Sequence, residues 1–190
     1  MKEKLKFKVV FNSPVILGFT IICVAALLLN YLTGGFTNSL LFSVYRAPFS
    51  LGTCFRFFGH VIGHGDIGHL TGNFMMILVV GPMLEEKYGS RDLLFVMLVT
   101  AFVTGLIHFI FFPGVALLGA SGIVFAFILL ASFTGFKERE IPLTFILVAV
   151  LYLGQQIVEG VISTDNISQL THIVGGMVGA VMGYFGAAKK

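Results

Sequence analysis

The sequence predicts an all-α membrane protein in which the whole chain, residues 1–190, forms one bundle of six transmembrane helices. Its composition is 57% hydrophobic and only 11% charged, whereas a water-soluble domain carries about 25% charged residues. Each apolar stretch is close to the length of about 17–25 residues that a helix needs to cross about 30 Å of hydrocarbon. The six stretches are residues 15–33, 67–84, 93–112, 117–133, 143–158 and 170–187. They leave a short amino-terminal tail, about residues 1–12, and no room for a soluble domain.

The basic residues predict the orientation of the bundle. If the amino terminus is cytoplasmic, ten of the twelve Lys and Arg residues lie inside and only Arg46 and Arg56 lie outside, as the positive-inside rule requires. The ten are Lys2, Lys4, Lys6, Lys8, Lys87, Arg91, Lys137, Arg139, Lys189 and Lys190. We therefore expect a multi-pass protein of the cell (inner) membrane with both termini in the cytoplasm. The excess of basic residues is a topology signal, because no basic and aromatic patch typical of a nucleic-acid-binding protein accompanies it.

Boundary residues support the individual spans. The first span follows a lysine-rich start, but no small-x-small cleavage site follows Tyr31, which favours an uncleaved anchor. Pro14 and Pro142 stand at the starts of the first and fifth spans, where a missing amide hydrogen costs nothing. Pro113 and Gly114 end the third span and predict a tight outer turn before the fourth.

The first outer segment, residues 34–66, is too long for a simple turn between adjacent spans. It has few charges and is rich in phenylalanine, with Phe36, Phe42, Phe49, Phe55, Phe57 and Phe58. We expect this segment to be embedded in or on the outer leaflet, partly helical and packed against the bundle. An aromatic belt at the membrane interface would use the same residues.

Four polar residues on three spans fall at the same depth in the outer leaflet. His69 and Asn73 lie in the first two turns of the second span, Ser121 lies about one turn into the fourth, and His172 lies in the first turn of the sixth. Burying such groups without partners costs about 2 kcal/mol or more each. The sequence therefore predicts a shared, water-accessible polar cavity near the outer surface.

The spacing of these residues suggests how they meet. His69 and Asn73 are four residues apart and share a helix face. Gly175, Gly179 and Gly183 form a stripe on the face that carries His172, which lets the sixth span approach a neighbour closely. The glycines could serve packing alone. If the neighbour is the fourth span, a hydrogen bond between Ser121 and His172 becomes possible.

The chain resembles the rhomboid intramembrane serine proteases, from the first outer loop to the last span. Four motifs of that family occur in the expected topology. The first is Gly119-Ala120-Ser121-Gly122, and the second is His172 with Gly175 and Gly179. The third is His64, His69 and Asn73, with His60 one turn earlier, and the fourth is Glu85 with Gly89. Two positions differ from the family pattern. The aromatic residue before Arg56 is Phe55 rather than Trp, and Phe125 replaces a Tyr, so that it can still stack on a histidine ring but lacks the hydroxyl.

The resemblance implies a serine endopeptidase that works through a Ser–His dyad. Ser121 would be the nucleophile and His172 the general base, while His69, Asn73 and the backbone N–H of Ser121 would stabilise the oxyanion. The implied substrates are other membrane proteins, cleaved in a transmembrane helix near the outer leaflet, at an active site open to the outer or periplasmic side. The resemblance implies no cofactor, and the sequence indicates no nucleic-acid partner and no particular oligomeric state.

The polar residues also allow other interpretations. His60, His64, Asp66 and His69 could resemble a metal cluster, but no H-E-x-x-H motif is present and we expect no metal site. Asp66 and Asp165 are expected to be solvated or to cap helices, His108 to be a packing histidine, and Glu85 and Arg56 to be structural. Two alternatives to an active protease remain: an inactive rhomboid-like protein that binds membrane clients, and an unrelated channel or transporter. A channel or transporter would distribute polar groups through the whole membrane depth or break helices at its midplane.

Overall fold

The computed structural model describes residues 9–133, 143, 144, 146–151, 154 and 166–187. This part of the chain is helical, as predicted, apart from its turns and loops. Its helices are α1 (Pro14–Leu32), α2 (Phe36–Leu40), α3 (Leu51–Gly59), α4 (Ile67–Tyr88), α5 (Ser90–Phe111), α6 (Ser121–Ser132) and α7 (Asn166–Ala187). The only extended pairing in the described residues is a single antiparallel bridge between Val44 and Leu117.

Three of the described helices, α1, α4 and α5, are long and apolar enough to cross a membrane, and α6 is a shorter apolar helix. These helices correspond to the first four predicted spans, and α7 corresponds to the sixth. Of the fifth, the residues that the structure describes are helical, and the rest lie outside the described residues. Large apolar side chains such as Met75, Val79 and Leu28 are more than half exposed on the helix surfaces, which suits contact with lipid.

Helix α6 occupies the centre of the described helices. It contacts α4, α5 and α7, and Ile123, Ala126, Phe127 and Leu130 are almost completely buried. A helix that is apolar on all sides and surrounded by other helices is held in a fixed position. Residues at its first turn, including Ser121, are therefore placed by the whole bundle.

The glycine stripe of α7 approaches a neighbour closely, as the sequence predicted, and the structure shows that this neighbour is α6. A Cβ atom added at Gly175 would meet the backbone of Gly122, at 2.9 Å from its Cα, and one added at Gly179 would lie 2.6 Å from the Cα of Ala126. Gly183, two turns beyond Gly175, faces the Phe133 side chain, so the backbone contact is made by Gly175 and Gly179. Backbones this close leave no space for a methyl group, which is how small residues pair helices in membranes.

The long loop between α1 and α4 is partly helical and packs on the bundle, as expected for residues 34–66. The Phe57 ring makes edge-to-face contacts with the rings of Phe102 and Phe109 on α5, with centroids 6.0 and 5.4 Å away. Arg46 donates hydrogen bonds to the backbone carbonyls of Phe109 and Ile110. Since the last carbonyls of a helix have no partner within it, Arg46 both caps α5 and ties the loop to it.

At the opposite end of the bundle, Glu85 links three helices. Its carboxylate accepts hydrogen bonds from the backbone N–H groups of Val15 (3.0 Å) and Ile16 (3.1 Å) in the first turn of α1, and from the Ser90 hydroxyl (2.6 Å). A carboxylate is favourable there because the first N–H groups of a helix are unpaired and carry a partial positive charge. Gly89 ends α4 with a φ of +86°, a backbone conformation that favours glycine. The structural role expected for Glu85 is confirmed.

Replacing Glu85 by Ala is expected to lower the free energy of unfolding by about 1–3 kcal/mol, because a buried and a part-buried N–H group of α1 lose their acceptor. Thermal unfolding of the purified protein in detergent, followed by circular dichroism, measures the change. Glu86→Ala, one residue further along and exposed, is the matched control and should unfold like the unmodified protein. Equal stability of the two variants would contradict this role of Glu85.

Candidate active site

Ser121 is the first residue of α6, at the end of the bundle opposite Glu85. The N–H groups in the first turn of a helix have no partner within it, so the backbone around Ser121 offers hydrogen-bond donors as well as a hydroxyl. The preceding turn is fixed from outside the helix. Leu117 exchanges two backbone hydrogen bonds of 2.9 Å with Val44, and the Gly119 N–H donates to the carbonyl of His60 at 2.9 Å.

Gly119 allows α4 to approach this turn closely. Its φ is +121°, which side-chain-bearing residues rarely adopt. A Cβ atom at this position would lie 2.5 Å from Nε2 of His69 and 3.8 Å from Nδ2 of Asn73. The His69 imidazole and the Asn73 amide nitrogen of α4 therefore both lie against the backbone two residues before Ser121.

The start of α4 is held by Asp66. This residue is the N-cap, and its carboxylate accepts a hydrogen bond of 2.8 Å from the His69 N–H. An N-cap of this kind stabilises a helix by about 1 kcal/mol. The expectation that Asp66 caps a helix is confirmed, and the cap fixes the position from which the His69 side chain extends.

His172 approaches α6 from the other side, on α7. Its ring centroid lies 4.3 Å from that of Phe125, with the two planes inclined by 43°. Phe125 is one helical turn after Ser121, and the contact between Gly175 and Gly122 sets the two helices in register at the same level. Phe125, which lacks a hydroxyl, therefore contacts the His172 ring in a tilted arrangement.

His60 and His64 connect the loop between α1 and α4 to the candidate site. His60 is buried, and its ring nitrogens lie 3.3 Å from the hydroxyl of Thr104 and 3.3 Å from the carbonyl of Arg56. Burial lowers the pKa of His60 to about 4. Burial is also the largest of the causes that lower the pKa of His64 to about 4. Both rings are therefore neutral at physiological pH. Through these contacts the two rings order the loop.

Two other polar residues have structural partners. His108 lies 2.9 Å from the carbonyl of Val115 and stacks on Phe112, as expected for a packing histidine. The buried Arg56 donates to the Tyr45 hydroxyl (3.3 Å) and its guanidinium lies 4.4 Å from the centre of that ring. Within the part of the chain that the structure describes, no three His, Cys, Asp or Glu residues are grouped as a metal site would require.

Some residues of the site were not found by sequence reasoning. Thr104 bonds to His60 and also meets a Cβ atom placed on Gly122 at 3.3 Å, so it lies beneath the first turn of α6. Asn38 donates from its amide to the backbone carbonyl of His64 at 2.8 Å. Their spacing in the sequence gave no signal, because both act on residues far away along the chain.

Comparison with known proteins gives a consistent family. A family model described as the Rhomboid domain matches residues 51–189. Rhomboid-related protein 1 of Caenorhabditis elegans is 29% identical to this chain, over 73% of this chain and 41% of the relative. Rhomboid protease GlpG of Serratia proteamaculans is 25% identical, over 91% of this chain and 63% of the relative. Rhomboid protease GluP of Bacillus subtilis is 26% identical, over 90% of this chain and 34% of the relative. The chain thus spans less than two thirds of the length of these relatives. The residues that match the family model make up most of the chain and include the helices α3 to α7. This protein therefore belongs to the rhomboid family.

Proposed function

We propose that this protein is an intramembrane serine endopeptidase that cleaves transmembrane segments of other membrane proteins by a Ser–His dyad. The observation that carries the proposal is the convergence on the turn 119–122. His69 and Asn73 of α4 lie against Gly119, while α7 closes on Gly122 and brings the His172 ring onto Phe125. Two of the similar proteins are named as rhomboid proteases, which supports the same reaction class.

In the proposed reaction the Ser121 hydroxyl attacks the carbonyl carbon of a peptide bond. His172 accepts the hydroxyl proton and passes it to the amine that leaves, which produces an acyl-enzyme. Water then attacks the ester, again with His172 as the base, and frees Ser121. Close packing of α6 against α7 through glycines would hold the base and the nucleophile in reacting geometry.

The negative charge that develops on the carbonyl oxygen needs donors. We assign that role to the side chains of His69 and Asn73 and to the backbone N–H of Ser121. One such donor stabilises the transition state by about 3 kcal/mol. The site would act with no cofactor, because an ionisable base and fixed donors are sufficient for acyl transfer.

The Ser121 end of the bundle is proposed to face the outer or periplasmic side. The distribution of basic residues supports this orientation, since Lys87 and Arg91 lie at the Glu85 end of α4 and α5, whereas Arg46 and Arg56 lie in the loop near Ser121. A substrate helix would enter from the membrane and be cut near its outer end, where water reaches the peptide bond. Water access is needed for the second half of the reaction.

Cleavage of a reporter in proteoliposomes tests the function. The reporter is a single-span membrane protein with a tag on each side, and mass spectrometry of the products locates the cut. We expect one principal cut within or next to the outer third of the reporter helix. An intact reporter that nevertheless co-purifies with the folded protein would contradict the protease and favour an inactive, client-binding relative.

A further inference from the structure

A buried histidine lies directly behind one of the proposed oxyanion donors. His64, in the loop between α3 and α4, is completely buried, and its Nε2 lies 3.2 Å from Nδ2 of Asn73. On the other side of the ring, Nδ1 lies 3.1 Å from the carbonyl oxygen of Ile62. His64 thus joins the loop backbone to the amide of Asn73 through one imidazole ring.

The chemistry of these partners fixes the direction of both hydrogen bonds. A carbonyl oxygen only accepts, so the bond to Ile62 requires a proton on Nδ1 of His64. A neutral imidazole carries one proton, and Nε2 is then an acceptor. The group of Asn73 that faces Nε2 must donate, and it is therefore the amide nitrogen rather than the oxygen.

The neutral state on which this depends is favoured by the surroundings of His64. Burial, followed by the neighbouring His69, lowers its pKa to about 4, although the Asp66 carboxylate opposes the shift. The His69 ring contacts it edge-on with centroids 5.1 Å apart, and Phe74 lies 6.0 Å away on the next turn of α4. The side-chain amide of Asn38 donates a hydrogen bond to the backbone carbonyl of His64. The ring is therefore held in place from several sides.

An asparagine amide can rotate by 180°, which exchanges a donor for an acceptor at nearly the same position. An oxygen turned toward the developing oxyanion would repel it, whereas a nitrogen would stabilise it. Nδ2 of Asn73 lies 3.8 Å from the position of a Cβ atom on Gly119, and one of its two hydrogens is taken by His64. The second hydrogen remains for the turn that leads to Ser121.

We propose that His64 is a positioning residue, which fixes the amide of Asn73 through its Nε2 lone pair so that an N–H, and not the oxygen, faces the oxyanion. The inference rests on the proposed function, because it concerns the same reaction. It assigns His64 no contact with substrate and no proton transfer. Its effect on catalysis passes entirely through Asn73.

The test compares two replacements of His64, alone and combined with Asn73→Ala. His64→Asn places an amide near the position of Nδ1 and can keep the bond to Ile62, but it is too short to reach Asn73. His64→Gln extends to the position of Nε2 and offers an oxygen that accepts from Asn73. For each variant, kcat and KM for reporter cleavage are measured per folded protein, with circular dichroism and thermal unfolding in detergent to quantify folding.

We expect His64→Asn to lower kcat by about tenfold or more while KM stays within about twofold, and His64→Gln to restore most of kcat. In the Asn73→Ala background, His64→Asn should cause no further loss, because residues that act through one another are non-additive. An unchanged kcat in His64→Asn would overturn the proposal. So would a full additional loss in the Asn73→Ala background, since His64 would then act independently of Asn73.

The design separates this proposal from the proposed function. If Asn73→Ala itself leaves kcat unchanged, the oxyanion assignment fails, whereas an impaired Asn73→Ala with an unaffected His64→Asn refutes only the role of His64. If His64→Asn does not fold, His64→Gln decides alone, and a loss of kcat equal to that of Asn73→Ala would refute the proposal. Failure of both variants to fold would assign His64 to folding and overturn it as well.

Discussion

Ser121→Ala and His172→Ala are each expected to lower kcat/KM for reporter cleavage by at least about 10³-fold. In the proposed mechanism, alanine at 121 removes the oxygen that forms the acyl-enzyme, and alanine at 172 removes the base that accepts its proton. The doubly substituted protein should be no slower than either single variant, because the two residues act as one unit. Cleavage rates in proteoliposomes, normalised to the folded protein, measure the effect.

The matched control for this prediction is Ser132→Ala, at the other end of α6. The Ser132 hydroxyl donates to the carbonyl of Ile128 within its own helix, at 3.0 Å, so the substitution removes a serine without touching the proposed site. Its activity should equal that of the unmodified protein. Substantial cleavage by Ser121→Ala would exclude Ser121 as the nucleophile.

Gly179→Val is expected to disrupt both folding and activity, although residue 179 is two turns from His172 and takes no part in the chemistry. An added Cβ would contact the backbone oxygen of Ala126 and would lie 2.6 Å from its Cα. Because backbone cannot give way as a flexible side chain can, α7 must move off α6. Overpacking of this kind costs about 1–3 kcal/mol, and a shift of about 1 Å at the dyad can cost about 10²-fold in rate.

Gly186→Ala is the control on the same helix. There the nearest atom to an added Cβ is Cε1 of the Tyr88 side chain at 3.4 Å, an ordinary contact. Since this contact is ordinary and Gly186 is the second-last residue of α7, this variant should be about as stable as the unmodified protein. Gly179→Val should therefore unfold at a lower temperature and cleave the reporter more slowly than Gly186→Ala. Equal stability and equal cleavage rates of the two variants would mean that the α6–α7 contact does not hold the site.

The spans with the simplest boundaries were predictable from the sequence. The stretch 15–33 corresponds to α1 at Pro14–Leu32, because a proline marks its start and apolar residues fill it. The stretch 67–84 runs on to Tyr88 in the structure, since charged residues at the end of a helix lower its hydropathy without ending its hydrogen bonds. What ends α4 is Gly89, whose backbone adopts a positive φ.

The start of the fourth span could not be predicted from hydropathy. The apolar run was predicted to begin at residue 117, whereas α6 begins at Ser121. Leu117 instead pairs with Val44, and the positive φ of Gly119 turns the chain before the helix starts. Hydropathy records that these residues are apolar but not how their backbone is bonded. The difference matters, because it moves Ser121 from within a helix to its first position.

The site itself was only partly predictable. Depth and spacing brought Ser121, His172, His69 and Asn73 to one level, and the glycine stripe indicated which face of the last span would pack closely. The support of Asn73 by His64 could not be foreseen, because it depends on the tautomer of a ring that is set by the carbonyl of Ile62. Such contacts follow from the folded loop and leave no periodic signal in the sequence.

Covalent labelling of the purified protein with a fluorophosphonate tests the central claim most directly. The reagent reacts with an activated serine, and peptide mass spectrometry identifies the residue that carries the adduct. We predict a single major adduct on Ser121 in the unmodified protein, and none in folded His172→Ala, because in the proposed dyad the hydroxyl is activated by that histidine. An adduct on a different serine, or an unlabelled Ser121 in protein that still cleaves the reporter, would contradict the Ser121–His172 dyad.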